Sequence, residues 1–434
     1  MNTNTIAKLL IFVLLLSFMA GCATATPPPT EPSKPAEVVA PTKAEPVKPA
    51  DTAVPEPTKA PPTDEPTAAP VLSAKEEWLK TNQLGTYTTD TQDWAAIEEA
   101  AKKEGKVVVY ANSSKIAKAA EIWAEKYPDI AMEGYDLGGD DVLSKTVGEQ
   151  QSGTVVGDVW FSSGGAEVVG NVLPNEYVWK FIPDSTSVIS SEYADPLLMS
   201  RLGTTILAYN KELNDKCPVT NIWELTQPEW KGKFVIEDPL NDASTLSKLL
   251  TFVYHADEMK QAYIDLYGSE PVLDEDTPDA GWLWLKKFAQ NGPIPQPGGD
   301  EVDSAFATPG MTENLLAFTS YSNYPDVQDG NLAFEPCWGV NPMSGIQAQS
   351  YLAIMNQAPH PNAAKLFLKF ITSEEGRDPW AKFGTYFPDP SYEVPEGQKT
   401  LDEVQKLTWF IPEQFAYDNL VQARDFYLLN LGTP

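Results

Sequence analysis

Residues 105–163 read GKVVVYANSSKIAKAAEIWAEKYPDIAMEGYDLGGDDVLSKTVGEQQSGTVVGDVWFSS, and this stretch decides the fold. Val107, Val108, Val109 and Tyr110 form a short apolar run rich in β-branched residues, as a buried strand requires. Asn112, Ser113 and Ser114 follow, all of them helix-capping residue types. Ile116, Ala119, Ala120, Trp123 and Ala124 then recur at helical spacing, with lysine and glutamate between them. The pattern repeats. Residues 130–136 read as a second strand, 140–151 as a second helix and 158–161 as a third strand, and 162–165 open a third helix. Such alternation predicts a parallel sheet covered by helices. Ligands in such sheets sit beyond the carboxyl ends of the strands. Those ends carry residues 112–114, 137–140 and 162–165, nearly all small or polar. The candidate contacts here are Asn112, Ser113, Ser114, Gly138, Asp140, Ser162, Ser163 and Gly164.

Outward from this core, the amino terminus reads as an export leader. Lys8 supplies a positive charge, and 9–20 is apolar apart from Ser17. Twelve residues are too few for a permanent membrane span. The run ends Met19-Ala20-Gly21-Cys22. Residues 23–71 hold 14 of the chain's 38 prolines and no aromatic residue. A segment of that composition has no means of forming a core, so 23–72 is expected to be a disordered tether. Extended at polyproline spacing it would reach on the order of 150 Å.

Toward the carboxyl end, a second alternating block starts near Trp223. Residues 233–236 read as a short strand, and Glu237-Asp238-Pro239 stops it. A helical stretch then follows Ser244, which again places polar groups between a strand and a helix. Residues 316–320 read as a strand leading into Tyr321, Ser322 and Tyr324. Residues 350–355 form one more strand, and 361–373 a helix. From this block the candidate contacts are Glu237, Asp238, Ser244, Tyr321, Ser322 and Tyr324. Trp123, Trp282, Trp284 and Trp380 lie on helical faces and read as core.

Composition narrows the function. With 61 acidic against 31 basic residues the formal charge is −30, and no basic stripe offers a nucleic-acid surface. There is no G-x-S-x-G elbow and no H-E-x-x-H motif. Two histidines in 434 residues leave little material for a Ser–His or zinc mechanism. A carboxylate pair of the kind that cleaves glycosides remains open, so a secreted carbohydrate-active enzyme is the enzymatic alternative. Cys217 and Cys337 stand in an exported domain, where pairing is favoured. Sequence alone leaves open whether they are close enough to pair.

Several stretches together resemble the extracellular solute-binding proteins of ABC importers, in the branch that includes ferric-iron, polyamine, thiamine and phosphonate binders. They are GKVVVYANSS, AAEIWAEKYPDI, GDVWFSS, RLGTTILAYNKEL, IWELTQPEWKGKFVI and SYLAIMNQAPHPNAAKLFLKFITSEEG, in this order across about residues 92–390. The resemblance implies an α/β, bilobed periplasmic-binding-protein-like fold of type II, with two parallel-sheet lobes joined by a hinge. The expected lobes are 73–207 with 338–375, and 208–337 with 376–434. It further implies a monomer that closes on one small-molecule solute and delivers it to the permease subunits of an ABC transporter. Met19-Ala20-Gly21-Cys22 resembles the lipobox of bacterial lipoproteins. By that resemblance 1–22 is a lipoprotein signal peptide and Cys22 carries the lipid that anchors the protein on the extracytoplasmic side of the cell membrane.

The solute stays open between classes. Ferric-iron members use adjacent tyrosines, often with histidine and a carboxylate. Here Tyr321 and Tyr324 are not adjacent, and His255 and His360 fall away from the strand-end loops. Hard Fe(III) prefers anionic oxygen ligands, which these loops do not offer as a set. No metal ligand is named and no cofactor is expected, and ferric iron stays as an alternative solute. Hydroxyls and free N–H groups at helix starts favour a small organic anion such as a phosphonate, phosphate ester or carboxylate. Asp140, Glu237 and Asp238 with tyrosine would instead suit a cationic amine.

Overall fold

The computed structural model describes residues 72–432, apart from 187 and 188. The leader, Cys22 and nearly all of the tether lie outside the described residues. Twelve strands form one curled mixed sheet. In chain order they are β1 (Lys106–Ala111), β2 (Ala131–Asp136), β3 (Val159–Ser163), β4 (Val178–Trp179), β5 (Leu198–Asn210), β6 (Phe234–Glu237), β7 (Ile294–Gln296), β8 (Leu316–Ser320), β9 (Phe334–Pro336), β10 (Gly345–Met355), β11 (Thr385–Tyr386) and β12 (Thr408–Phe410). The main path runs β2-β1-β3-β10-β5-β8-β6-β7.

At one end β1 lies parallel to β2, from Lys106 opposite Ala131 to Ala111 opposite Asp136, and parallel to β3. At the other end β6 lies parallel to both β7 and β8. Between these parallel triples run β5 and β10, antiparallel to each other and to their outer neighbours. The two expected parallel sheets are thus the ends of one continuous sheet. Length explains this: β5 has 13 residues and β10 has 11, enough to pair with one triple at each end.

Helices cover both faces of the parallel ends, so β1 is buried from Val107 to Ala111 rather than alternating. The helix Ile116–Lys126 turns Ile116, Ala119 and Trp123 inward at spacings of three and four. Trp123 is fully buried, and its Nε1 donates to the Ile130 carbonyl at 2.7 Å. The helix Trp94–Glu104 starts on Asp93, which accepts from the Ala96 N–H, and ends at Gly105 with φ 78°. All four tryptophans read as core are buried.

Apolar side chains collect in two main cores. One gathers β1, β3, Trp123 and the helix Pro361–Ile371. The other gathers β6 and the helices Ala243–Tyr254, Ala280–Gln290 and Glu413–Asn430. Along β5, Leu198 belongs to the first core and Leu207 to the second. On β10, Ile346 belongs to the second core and Tyr351 to the first. The two long strands therefore pass from one core to the other. Asp158 and the Cys217–Cys337 disulfide tie parts of this frame together. The pairing that the sequence left open is made, with the two Cα atoms 5.2 Å apart.

One strand boundary bears on the site. The sequence reading ended the third strand at Phe161, but β3 continues through Ser162 and Ser163. These serines pair with Tyr351 and Ser350 of β10, so they are ladder residues and not the start of a helix.

Candidate functional site

Two adjoining cavities open where strand ends from both cores face each other. The smaller, about 220 Å³, has a floor of Gly203, Thr205, Ile346 and Ala348 on β5 and β10. Register explains this set. Gly203 sits opposite Ala348, and Thr205 opposite both Ile346 and Ser320. Small residues on one face of the central strands leave room above the sheet. The walls carry Ser163, Glu237, Ser244, Thr245, Lys248 and Ser320, and Gly299 opens the helix Gly299–Ala307 beside them. Lys248 lies 3.6 Å from the Glu237 carboxylate. Thr245 Oγ1 donates to Asp242 at 2.6 Å, and Asp242 also accepts from the Ser244 and Thr245 backbone N–H groups. Burial works against ionisation of Asp242, but these hydrogen bonds and Lys248 outweigh it and hold its pKa below the usual value.

The larger cavity, about 330 Å³, shares Ser163, Ser244 and Ala348 with the first. Asn112, Gly138, Asp140, Asp141, Gly164 and Glu167 line it from the first core, with Asp242, Glu413 and Leu420 opposite. No lysine or arginine stands in this lining. Asn112 Nδ2 donates to Ser163 Oγ at 2.5 Å, and the Ser163 N–H donates back to Asn112 Oδ1 at 3.3 Å. The pair locks two strand-end loops together. A Cβ at Gly165 would meet the Glu413 carboxyl at 2.1 Å, so only glycine lets that carboxyl approach the Ala166 N–H. Burial pushes Glu413 up to about 8, against the Ala166 hydrogen bond, and burial raises Glu167 as well. Trp160 and Gln349 line this cavity and Thr204 the smaller one, and Trp160 Nε1, Gln349 Oε1 and Thr204 Oγ1 are buried without a protein partner. Buried polar atoms left this way are costly unless something else satisfies them.

Of the residues expected from sequence, Asn112, Gly138, Asp140, Ser163, Gly164, Glu237 and Ser244 line these cavities. The others do not. Ser162 points to the opposite face of β3, fully buried, and its Oγ donates to the Ser163 carbonyl. Ser113 Oγ accepts from Trp380 Nε1 at 2.9 Å, and Ser114 is exposed at the start of its helix. Asp238 closes its own turn by accepting from Leu240 and Asn241. Ser322 Oγ pairs with Ser320 Oγ at 2.8 Å. Tyr321 and Tyr324 border a separate cavity with Trp338, Phe383 and Glu335. Tyr324 Oη donates to both Glu335 oxygens at 3.0 Å, and Tyr321 packs edge-on against Trp338 and Phe383. The chain makes a one-turn helix straight after β8, which carries both rings away from the cavity floor. Among the described residues, no three of His, Cys, Asp and Glu stand close enough to hold a metal ion.

Sequence reasoning missed Thr204, Thr205, Lys248, Gln349, Glu167 and Glu413. Gly203-Thr204-Thr205 is a small polar interruption inside the strand RLGTTILAYN, and that was a legible signal. Nothing in the sequence points Glu413 at a loop some 250 residues earlier.

The family profile of bacterial extracellular solute-binding proteins matches residues 179–408. A search of curated protein sequences returns no match. Among solved structures, iron-bound HitA from Pseudomonas aeruginosa aligns at TM-score 0.57 and 16% identity, covering 75% of this chain and 99% of that one. AfuA from Actinobacillus pleuropneumoniae, with exogenous fructose-6-phosphate bound, aligns at TM-score 0.56 and 17% identity over 76% and 99%. A substrate-binding protein of an ABC transporter from Agrobacterium tumefaciens aligns at TM-score 0.56 and 14% identity over 75% and 94%. At these identities the likeness concerns the fold.

Proposed function

The chain belongs to the bacterial extracellular solute-binding proteins, and from that premise we propose that it captures one small solute in the two joined cavities and releases it to an ABC importer permease. One observation carries the assignment of the site: strand-end loops from both cores converge on Ser163, Ser244 and Ala348. The lobes are taken close to 73–207 with 338–375 and 208–337 with 376–434, meeting across β5 and β10. Closure around the solute would be a population shift driven by contacts that both lobes make only when shut.

The solute is read as a small organic anion such as a phosphonate, phosphate ester or carboxylate. Support comes from the hydroxyls of Ser163, Thr205 and Ser320, from Lys248, and from the helix start at Gly299. A sugar phosphate is what the Actinobacillus relative is named as holding, and iron is what the Pseudomonas relative is named as holding. A second reading, a cationic amine, is favoured by one feature. Asp140, Asp141, Glu167 and Glu413 line the larger cavity with no basic residue among them.

A thermal-shift screen over phosphonates, sugar phosphates, polyamines, thiamine and Fe(III) tests these readings. A ligand at a hundredfold excess over its Kd adds about 2.7 kcal/mol of stability. With an anionic hit, Ser163→Ala and Lys248→Met should each weaken binding about tenfold in calorimetry. With a cationic hit, Asp140→Asn should do so instead. Unchanged affinity in all three variants would remove the site from these cavities.

Among the described residues no helix is long and apolar enough to cross a membrane. We further propose that Cys22 carries a lipid and that 23–72 tethers the binding domain to the membrane surface. Cys22→Ser should release the protein into the soluble fraction and abolish incorporation of labelled palmitate. Equal labelling of wild type and variant would refute the anchor.

A further inference from the structure

Arg201 is partly buried and stands out among the cations of the chain. Its guanidinium carbon lies 5.1 Å from the Phe161 ring centroid and 5.5 Å from that of Trp380. Its Nη1 is covered and has no hydrogen-bond partner. No carboxylate pairs with it among the described residues, although acids outnumber bases two to one in this chain. Arg377 is paired with Asp389, Lys248 lies near Glu237, and buried Lys365 donates to the Asn82 carbonyl, whereas Arg201 Nη1 has none of these. A covered guanidinium nitrogen without a partner is costly, and an anion seated against it would satisfy it.

Two more cations attend Arg201. Lys115 precedes the helix Ile116–Lys126, and neither it nor Lys382 has an acidic partner among the described residues. Burial lowers the Lys115 pKa to about 8, and repulsion from Lys382 and Arg201 adds to this. For Arg201, burial alone brings the value to about 10. Position sets Arg201 beside the cavities, although none of the three cations lines them. Arg201 pairs with Ser350, and Ser350 pairs with Ser163, so the three stand in one row across the sheet. Gly203, on the floor of the smaller cavity, is the next residue on the same face of β5.

We propose that Arg201, with Lys115 and Lys382, forms the seat for an anionic oxygen group, a phosphate, phosphonate or carboxylate, carried by the solute. This rests on the reading that a solute enters the joined cavities. The aromatic rings hold the guanidinium plane in place, and Trp380 is itself fixed by donating to Ser113 Oγ. A preset guanidinium fork suits two oxygens of one anion and loses little freedom on binding. Ser113 thus belongs to the support of this seat.

The test uses the mature protein with inorganic phosphate, methylphosphonate and acetate as separate probes, followed by thermal shift and calorimetry. At least one probe should raise the melting temperature of the wild type, and the arms identify which anion fits. Arg201→Met should weaken that probe by about tenfold or more. The empty variant should melt at or above the wild type, because a covered and unpartnered guanidinium nitrogen is gone. A purely structural arginine would instead leave the variant less stable. Lys115→Gln, at a less buried position, should weaken the probe several-fold and serves if the methionine variant does not fold. The seat is refuted if no probe stabilises the wild type, or if both variants keep its response. A solute from the wider screen that binds wild type and Arg201→Met equally would refute the seat and leave the cavities as the site. Failure of every solute to bind, with a probe response that depends on Arg201, would refute the cavity reading instead.

Discussion

Replacing Cys217 and Cys337 with serine is expected to lower the unfolding free energy by about 4 kcal/mol. The bridge spans 120 residues, from the segment after β5 to the segment after β9. Closing a loop of that length removes configurational entropy from the unfolded chain, and the chain-entropy estimate is about 4–5 kcal/mol. Denaturant unfolding of the wild type with and without reductant, beside the double serine variant, measures it. The reduced wild type and the variant should coincide. A variant as stable as the oxidised wild type would show that the bridge contributes nothing to the folded state.

Asp158→Ala is expected to cost about 2–5 kcal/mol, because it leaves two buried backbone donors unpaired at roughly 1–3 kcal/mol each. Asp158 is fully buried. It accepts from the Val108 N–H at 2.8 Å, the His360 N–H at 2.8 Å and the His360 Nδ1 at 2.9 Å. One carboxylate thereby joins β1, β3 and the start of the helix Pro361–Ile371. Removing it orphans two backbone donors inside the first core. His360→Ala removes only the ring contact and should cost less. The comparison is made by urea unfolding of the three proteins. Equal losses for Asp158→Ala and His360→Ala would mean that the backbone bonds carry no weight.

The alternating order of the first block was legible because its strands are buried on both faces and its helices are amphipathic. VVVY and the Ile116–Trp123 spacing admit few other readings. The second block was legible in outline for the same reason. The cavity loops were half legible. Asn112, Gly138, Asp140 and Gly164 follow strands and Ser163 ends one, and strand ends face the cavities. Ser113 and Ser162 have the same chemistry as their neighbours but point elsewhere. A one-residue step along a strand reverses the side chain, and β3 proved longer than its apolar run. Tyr321 and Tyr324 lie outside these two cavities for a related reason, since a short helix follows β8 and Tyr324 turns toward Glu335.

The sequence by itself determined the α/β class, the order of the strands along the chain and the apolar faces that each helix buries. These depend on periodicity and capping, which act within a dozen residues. It also carried the family likeness through the order of several stretches. Only the tertiary structure decided that β5 and β10 join both parallel ends into one sheet, that Cys217 meets Cys337, and that Glu413 closes on Gly165. It alone left Arg201 Nη1 covered and, among the described residues, without a carboxylate. Each of these pairs residues far apart in the chain, and such pairing is set by strand register and close packing, for which no local pattern exists.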